Sequence, residues 1–177
     1  IDAVSGSTVN VFAGSYSAFN ITYDDIEVIG IEEGVEVDSD PLYADSCFSG
    51  YYLAGVFGAE GVLIENLLFS GYALQDQTTS VAGVLCCGAT DTTLRDLEIL
   101  SVRNYYDNAG TGIYVSGSGS NTVDIVNPSI YGCNVGVYVY WDTVTVTGGY
   151  LEGSYYNASY CSTGIWATTD AIVTVSG

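Results

Sequence analysis

Apolar and polar residues alternate with period two along most of this chain, in short runs broken by glycine, serine and acidic residues, which is the signature of strands with one buried face. Five runs open alike: Gly55-Val56-Phe57-Gly58, Gly83-Val84-Leu85-Cys86, Gly112-Ile113-Tyr114-Val115, Gly136-Val137-Tyr138-Val139 and Gly164-Ile165-Trp166-Ala167. Their glycines lie 28, 29, 24 and 28 residues apart, and a recurring period of that size marks stacked repeats. Gly34-Val35-Glu36-Val37 reads as a sixth, weaker copy.

A second landmark follows each glycine: Val62/Ile64, Thr92/Leu94, Val123/Ile125, Val144/Val146 and Val173/Val175. Three residues past the second member another strand begins, at Leu67/Phe69, Leu97/Ile99, Pro128/Ile130 and Gly149/Leu151. A constant spacing at this corner, with variable loops elsewhere, predicts one all-β domain over residues 1–177: a β-solenoid of about five to six coils with three short strands each. Val56, Val84, Ile113, Val137 and Ile165 should point inward, each stacked on its equivalent at roughly 4.8 Å. The residues beside them, Phe57, Leu85, Tyr114, Tyr138 and Trp166, should form an outer stripe, an expected interface to protein or sugar. The Tyr-rich corners NYYDNAG and GSYYNASYCS are candidates to cover it.

Val123, Ile125, Asn127 and Ile130 fit a V-x-I-x-N-x-x-I pattern that follows a GI-x-V strand, and the opening TVNVFAGSYSAFNITYDDIEVIG has a strand, a G-x-Y corner and an I-x-G strand in order. In these features nearly the whole chain resembles right-handed parallel β-helix proteins of the pectate-lyase-like group. The resemblance implies their fold. It does not assign an activity, because this architecture hosts lyases, hydrolases, esterases, phage spikes and inert surface proteins. In composition the chain also resembles β-rich cell-surface and sheath proteins of archaea.

There are 21 acidic residues against two basic ones, Arg95 and Arg103, with no lysine or histidine. Such a surface repels nucleic acid and anionic membranes, so neither is an expected partner. Glu32, Glu33, Glu36, Asp38 and Asp40 cluster closely enough to be calcium candidates through oxygen ligands, against the plainer reading of a solvated acidic edge. The sequence contains no methionine, even at position 1, which predicts a processed, secreted chain or a fragment. No apolar run approaches the roughly 18 residues of a membrane span. The sequons at Asn20 and Asn157 are expected glycosylation sites of an extracellular protein.

Cys133 and Cys161 each stand three residues before a repeat glycine, so the register predicts a disulfide between adjacent coils. Cys86 takes an inward position as a small core residue. Cys87 points outward and Cys47 lies in a polar corner; these two are expected as free thiols or as bonds to another chain.

The enzymes of the resembled group imply calcium held by aspartates with a basic residue, or clustered aspartates with a histidine. Histidine is absent, and Arg95 is expected to pair with neighbouring Asp96. Asp24-Asp25 is the only adjacent aspartate pair and reads as a turn. No catalytic residue or cofactor beyond the calcium candidate is assigned. The expectation is a secreted structural subunit whose partner is itself, assembling through open solenoid ends and the aromatic stripe into a filament, tube, sheath or surface layer. The alternatives are a carbohydrate-binding or carbohydrate-cleaving β-helix, and an adhesin.

Overall fold

The computed structural model describes residues 3–104, 110–117, 119, 121–153, 163–168 and 170–177. Strands β1 (Thr8–Val11), β2 (Gly14–Ser17) and β3 (Phe19–Ile21) open the stack. β4 (Glu27–Gly30), β5 (Val35–Ser39), β6 (Leu42–Ala44) and β7 (Gly50–Phe57) follow. Then come β8 (Leu63–Glu65), β9 (Leu68–Ser70) and β10 (Ser80–Cys87), with a 3-10 turn at Gly71–Leu74. β11 (Thr92–Arg95), β12 (Glu98–Leu100), β13 (Thr111–Ser116), β14 (Thr122–Val126), β15 (Ser129–Cys133) and β16 (Val135–Tyr140) repeat the order. β17 (Thr143–Thr147), β18 (Tyr150–Gly153), β19 (Thr163–Ala167) and β20 (Ile172–Ser176) complete it.

Three sheets result. Sheet A runs β1-β4-β8-β11-β14-β17-β20, sheet B runs β2-β5-β9-β12-β15-β18, and sheet C runs β3-β7-β10-β13-β16-β19. The chain visits them in the fixed order A, B, C, so strands adjacent in a sheet are one repeat apart in sequence and pair in parallel. The all-β solenoid with three strands per repeat is therefore the architecture found. The exception is β6, which pairs antiparallel with β7 and closes a hairpin over residues 45–49.

Columns of equivalent residues fill the interior. Ile64, Leu94, Ile125 and Val146 stack from sheet A, Phe69, Ile99 and Ile130 from sheet B, and Val84, Ile113 and Val137 from sheet C, all buried. Parallel in-register stacking puts like shapes in contact, so every strand inside a sheet buries its apolar face on two neighbours at once. No helix among the described residues is long and apolar enough to cross a membrane.

The corner between sheets A and B explains the constant three-residue spacing. In the four repeats from β8 to β18 it is two residues long and opens on a left-handed one: Asn66 (φ 57°), Asp96 (φ 49°), Asn127 (φ 48°) and Gly148 (φ 64°), the last followed by left-handed Gly149 (φ 80°), while the earlier corner between β4 and β5 is longer, residues 31–34. Asparagine, aspartate and glycine tolerate that conformation best. The asparagines also bond along the column, Asn66 Nδ2 donating to the Gly30 carbonyl and Asn127 Nδ2 to Asp96 Oδ1 at 3.3 Å.

Two assignments of the repeat need correction. Gly83, Gly112, Gly136 and Gly164 do form one column, but Gly55 pairs with Leu85, two residues out of step. A two-residue slip preserves the inward face, so the alternation does not reveal it. Val56 accordingly stacks on Cys86, and Val84 on Ala54. Gly34-Val35-Glu36-Val37 runs into β5 of sheet B, so it is not a copy of the sheet C strand.

Candidate functional site

The outer face of sheet C carries the expected stripe in altered form. Leu85, Tyr114, Tyr138 and Trp166 stand in one register column, with Gly55 below Leu85, while Phe57 belongs to the column of Cys87. Leu85 is fully buried, because the β6–β7 hairpin lies over it and Phe48 closes a small second core with Ala44, Tyr52 and Ala82. The lower half of the stripe is thus a packed interior, covered by residues 42–48. Residues 105–109 and 154–162, which include most of both Tyr-rich corners, lie outside the described residues.

Above Leu85 the rings form a ladder. Phe48 sits 4.8 Å from Tyr114, Tyr114 stacks on Tyr138 at 4.8 Å with planes 10° apart, and Trp166 follows at 6.1 Å. In-register stacking points ring faces along the solenoid axis and turns their edges outward. Burial, and then the neighbouring Tyr138 and Tyr140 hydroxyls, push the Tyr114 phenol up to about 12. Only Trp166 ends the column uncovered, at 52% exposure. A cleft of about 320 Å³ runs beside the ladder, with Thr78, Thr79, Asn104 and Asn134 on its polar side.

Two of the cysteines depart from expectation. Cys47 and Cys87 are not free: they form a disulfide across 40 residues of sequence, which ties the hairpin cover to β10. Proximity across the sheet, not sequence spacing, brings them together, and the antiparallel hairpin that does so breaks the repeat. Cys133 is a buried free thiol whose Sγ donates to the Tyr131 carbonyl at 3.6 Å, and burial pushes it up to about 12. Its partner in register is Gly153, because Cys133 ends a sheet B strand; Cys161 lies outside the described residues. Cys86 is buried in the core as expected.

The acidic residues are fastened separately. Ser15 Oγ donates to Asp38 and Ser17 Oγ to Asp40 Oδ2 at 2.8 Å, while the Ala13 N–H reaches Glu32 Oε2 at 3.5 Å. Glu36 faces outward from β5, and Glu33 stands in the exposed turn before it. Among the described residues no three carboxylates, thiols or imidazoles converge as a metal site, so the five calcium candidates are not brought together. Asp24 accepts the Glu60 N–H at 2.9 Å, and Asp25 takes a left-handed φ of 55°, which makes this pair a turn between repeats. Arg95 pairs with Glu65 one repeat away at 3.5 Å, not with Asp96. Adjacent strands put those two residues directly opposite, whereas Asp96 occupies the corner. Asn20 lies exposed on β3 with its side chain hydrogen-bonded to the Tyr52 hydroxyl; Asn157 lies outside the described residues.

One buried polar pair was not anticipated. Asp142 and Asn121 occupy the interior of the corner between sheets C and A, each about 1% exposed. Asn121 donates to the Asp142 carboxylate from its backbone N–H at 3.3 Å and from Nδ2 at 2.8 Å, leaving Asn121 Oδ1 without a partner. Desolvation holds the Asp142 carboxyl above its ordinary range despite these bonds.

Both ends of the interior are open among the described residues. At the N-terminal end an apolar opening of about 480 Å³ is lined by Val9, Val11, Phe19, Ile21, Val28 and neighbours. At the other end Val175, whose column equivalents Ile125 and Val146 are buried, is 65% exposed.

No protein-family model matches the chain, and no curated protein is significantly similar to it. Among solved structures, a protein of Parabacteroides merdae described as a candidate glycosyl hydrolase aligns with 97% of this chain and 81% of its own, with a TM-score of 0.52 and 12% identity. At that identity the likeness is one of fold, the stacked parallel sheets, and carries no chemistry across.

Proposed function

We propose that this chain is an extracellular structural subunit that associates with copies of itself through the open ends of its solenoid, into a filament, tube, sheath or surface layer. One observation supports the reading: among the described residues, the apolar columns that fill the interior are left uncovered at the Val9–Phe19 opening and at Val175. Edge strands with free backbone groups accompany them, and such edges pair readily with further strands. A disulfide and an acidic surface without lysine suit an oxidising, extracellular setting. Electron microscopy and light scattering of the purified chain test the proposal. Ordered polymers that grow with concentration and ionic strength are expected, and monodisperse monomers across that range rule it out.

A second reading has its own observation. The cleft beside the ring ladder sets aromatic edges opposite threonine and asparagine side chains, a lining suited to a neutral carbohydrate. Saturable binding of neutral oligosaccharides, lost in Tyr138→Ala, would support it. Calorimetric titrations without heat for any glycan tried would leave it without basis.

A further inference from the structure

The hairpin that interrupts the repeat covers the outer face of sheet C with one short segment, residues 45–49, and that segment is lightly held. Asp45, Ser46 and Ser49 are exposed, while Cys47 and Phe48 pack toward the sheet. Among the described residues no hydrogen bond joins the segment to another repeat, and the contact of Ser49 Oγ with the Tyr43 hydroxyl at 3.3 Å stays within the hairpin. β6 is fixed at the base by three register pairs, Leu42 with Tyr52, Tyr43 with Tyr51 and Ala44 with Gly50. Beyond them the cover rests on the Phe48 ring, which meets Tyr114, and on the Cys47–Cys87 bond. Ordering five residues of backbone costs more than burying one phenyl ring returns, so the covalent bond decides where the segment lies. Beneath it is the foot of the aromatic column. Leu85 is fully buried there, and Phe48 also lines the cleft beside Tyr114, Tyr138 and Trp166.

The bond is open to attack from outside but not from within. Cys47 and Cys87 are both partly exposed. Cys86 is next in the chain, yet alternation turns it to the interior, and burial, followed by the Asp142 carboxylate, pushes its thiol up to about 12. It therefore supplies no thiolate to exchange with the bridge. The chain's 21 acidic residues against two basic ones repel anionic thiols, which makes an uncharged dithiol the matching reductant. We propose that the Cys47–Cys87 bridge is a redox latch: while it is formed, residues 45–49 cover the foot of the aromatic column, and reduction by a dithiol releases them and uncovers Leu85 and Tyr114 on a solenoid that stays folded. The device goes beyond both readings above and depends on neither. A thiolate of the dithiol attacks one bridge sulfur and breaks the S–S bond, and its second thiol resolves the mixed disulfide. The dithiol leaves as a cyclic disulfide, and Cys47 and Cys87 end as thiols with the two electrons and two protons it gave up.

Thiol labelling of the folded chain tests the latch. In an Ala82→Cys, Cys161→Ser chain the thiol introduced at position 82 lies in the buried second core that Phe48 closes, toward the other end of β10 from Cys87. Dithiothreitol is added, removed and followed by a brief pulse of uncharged N-ethylmaleimide, and the labelled positions are read by peptide mass mapping. Reduction should free Cys47 and Cys87 and speed labelling at position 82 roughly tenfold or more, as local opening does, while the buried Cys86 and Cys133 stay protected. Re-oxidation should restore the slow rate. Nile red, also uncharged, should bind the reduced unsubstituted chain severalfold more than the oxidised one, a measurement that needs no variant. If the bond yields and position 82 stays protected, or the dye signal of the unsubstituted chain does not change, the cover is held without the bond and the proposal falls. It falls also if the bond resists the dithiol until circular dichroism shows the strands lost. Labelling of Cys86 and Cys133 together with position 82 would mean that the whole stack opens, which overturns it too.

Discussion

Replacing Gly112 with alanine puts a methyl group 2.6 Å from Ile130 Cγ2 and 2.7 Å from the Gly136 carbonyl oxygen. Carbon atoms pack best at about 3.5–4.0 Å, so something must move by roughly 1 Å. The carbonyl is held in a parallel sheet between β13, β16 and β19, and Ile130 is fully buried, so neither has free space to take up that shift. Overpacking of this kind costs about 1–3 kcal/mol, while the stiffer unfolded chain of alanine returns about 0.4–1 kcal/mol. The difference spans about 0–2.6 kcal/mol, and its midpoint of about 1.3 kcal/mol lowers the melting temperature of a domain of this size by about 3–5 °C. Thermal melts followed by circular dichroism, with Gly164→Ala as the matched comparison, measure it. A Gly112→Ala chain that melts above the parent temperature would refute the reading that the close approach of β16 and Ile130 requires glycine at position 112.

Two further outcomes follow from the site. Loss of the Cys47–Cys87 bond, in Cys47→Ser, frees a 40-residue loop worth roughly 3–4 kcal/mol on the chain-entropy model, and should make residues 42–49 the first site of limited proteolysis; an unchanged cleavage pattern would count against the hairpin as a tethered cover. The Asp142 carboxyl is held above its ordinary range, so the folded chain binds that proton more tightly than the unfolded one, and this group's contribution to stability falls as pH rises from the ordinary carboxylate range through the raised value. Asp142→Asn should flatten that part of the urea-denaturation profile, and an identical pH profile in the variant would show that Asp142 is not its source.

Most of the fold could be read in the sequence because stacked coils repeat a local pattern. The pairs from Val62/Ile64 to Val173/Val175 all fall in sheet A, and the strands three residues beyond them all fall in sheet B. From β8 to β18 the two-residue corner with its left-handed first residue leaves no room for variation there. What escaped was whatever departs from the repeat. The slip at Gly55 keeps inward residues inward, so alternation is blind to it. The β6–β7 hairpin has no counterpart in other coils, and with it went the Cys47–Cys87 bond and the burial of Leu85 under Phe48. Arg95 was matched with its sequence neighbour, whereas in a parallel stack a side chain's nearest outward companion lies a whole repeat away, here Glu65.

The two-residue corner between sheets A and B, constant from β8 to β18, has a consequence for what the chain can tolerate. From β8 to β18 that seam is a spine with no slack, although the earlier β4–β5 corner takes four residues, whereas the connections leading into sheet C range from Asn134 alone to the ten residues between β12 and β13. Length can therefore be added on one side of the molecule without disturbing the pitch fixed on the other. A foreign peptide inserted at residues 75–79 should be displayed at regular height beside the sheet C cleft, while one inserted at Asn66 or Asn127 should break the stack. The fold is a ruled scaffold with one margin left free for writing.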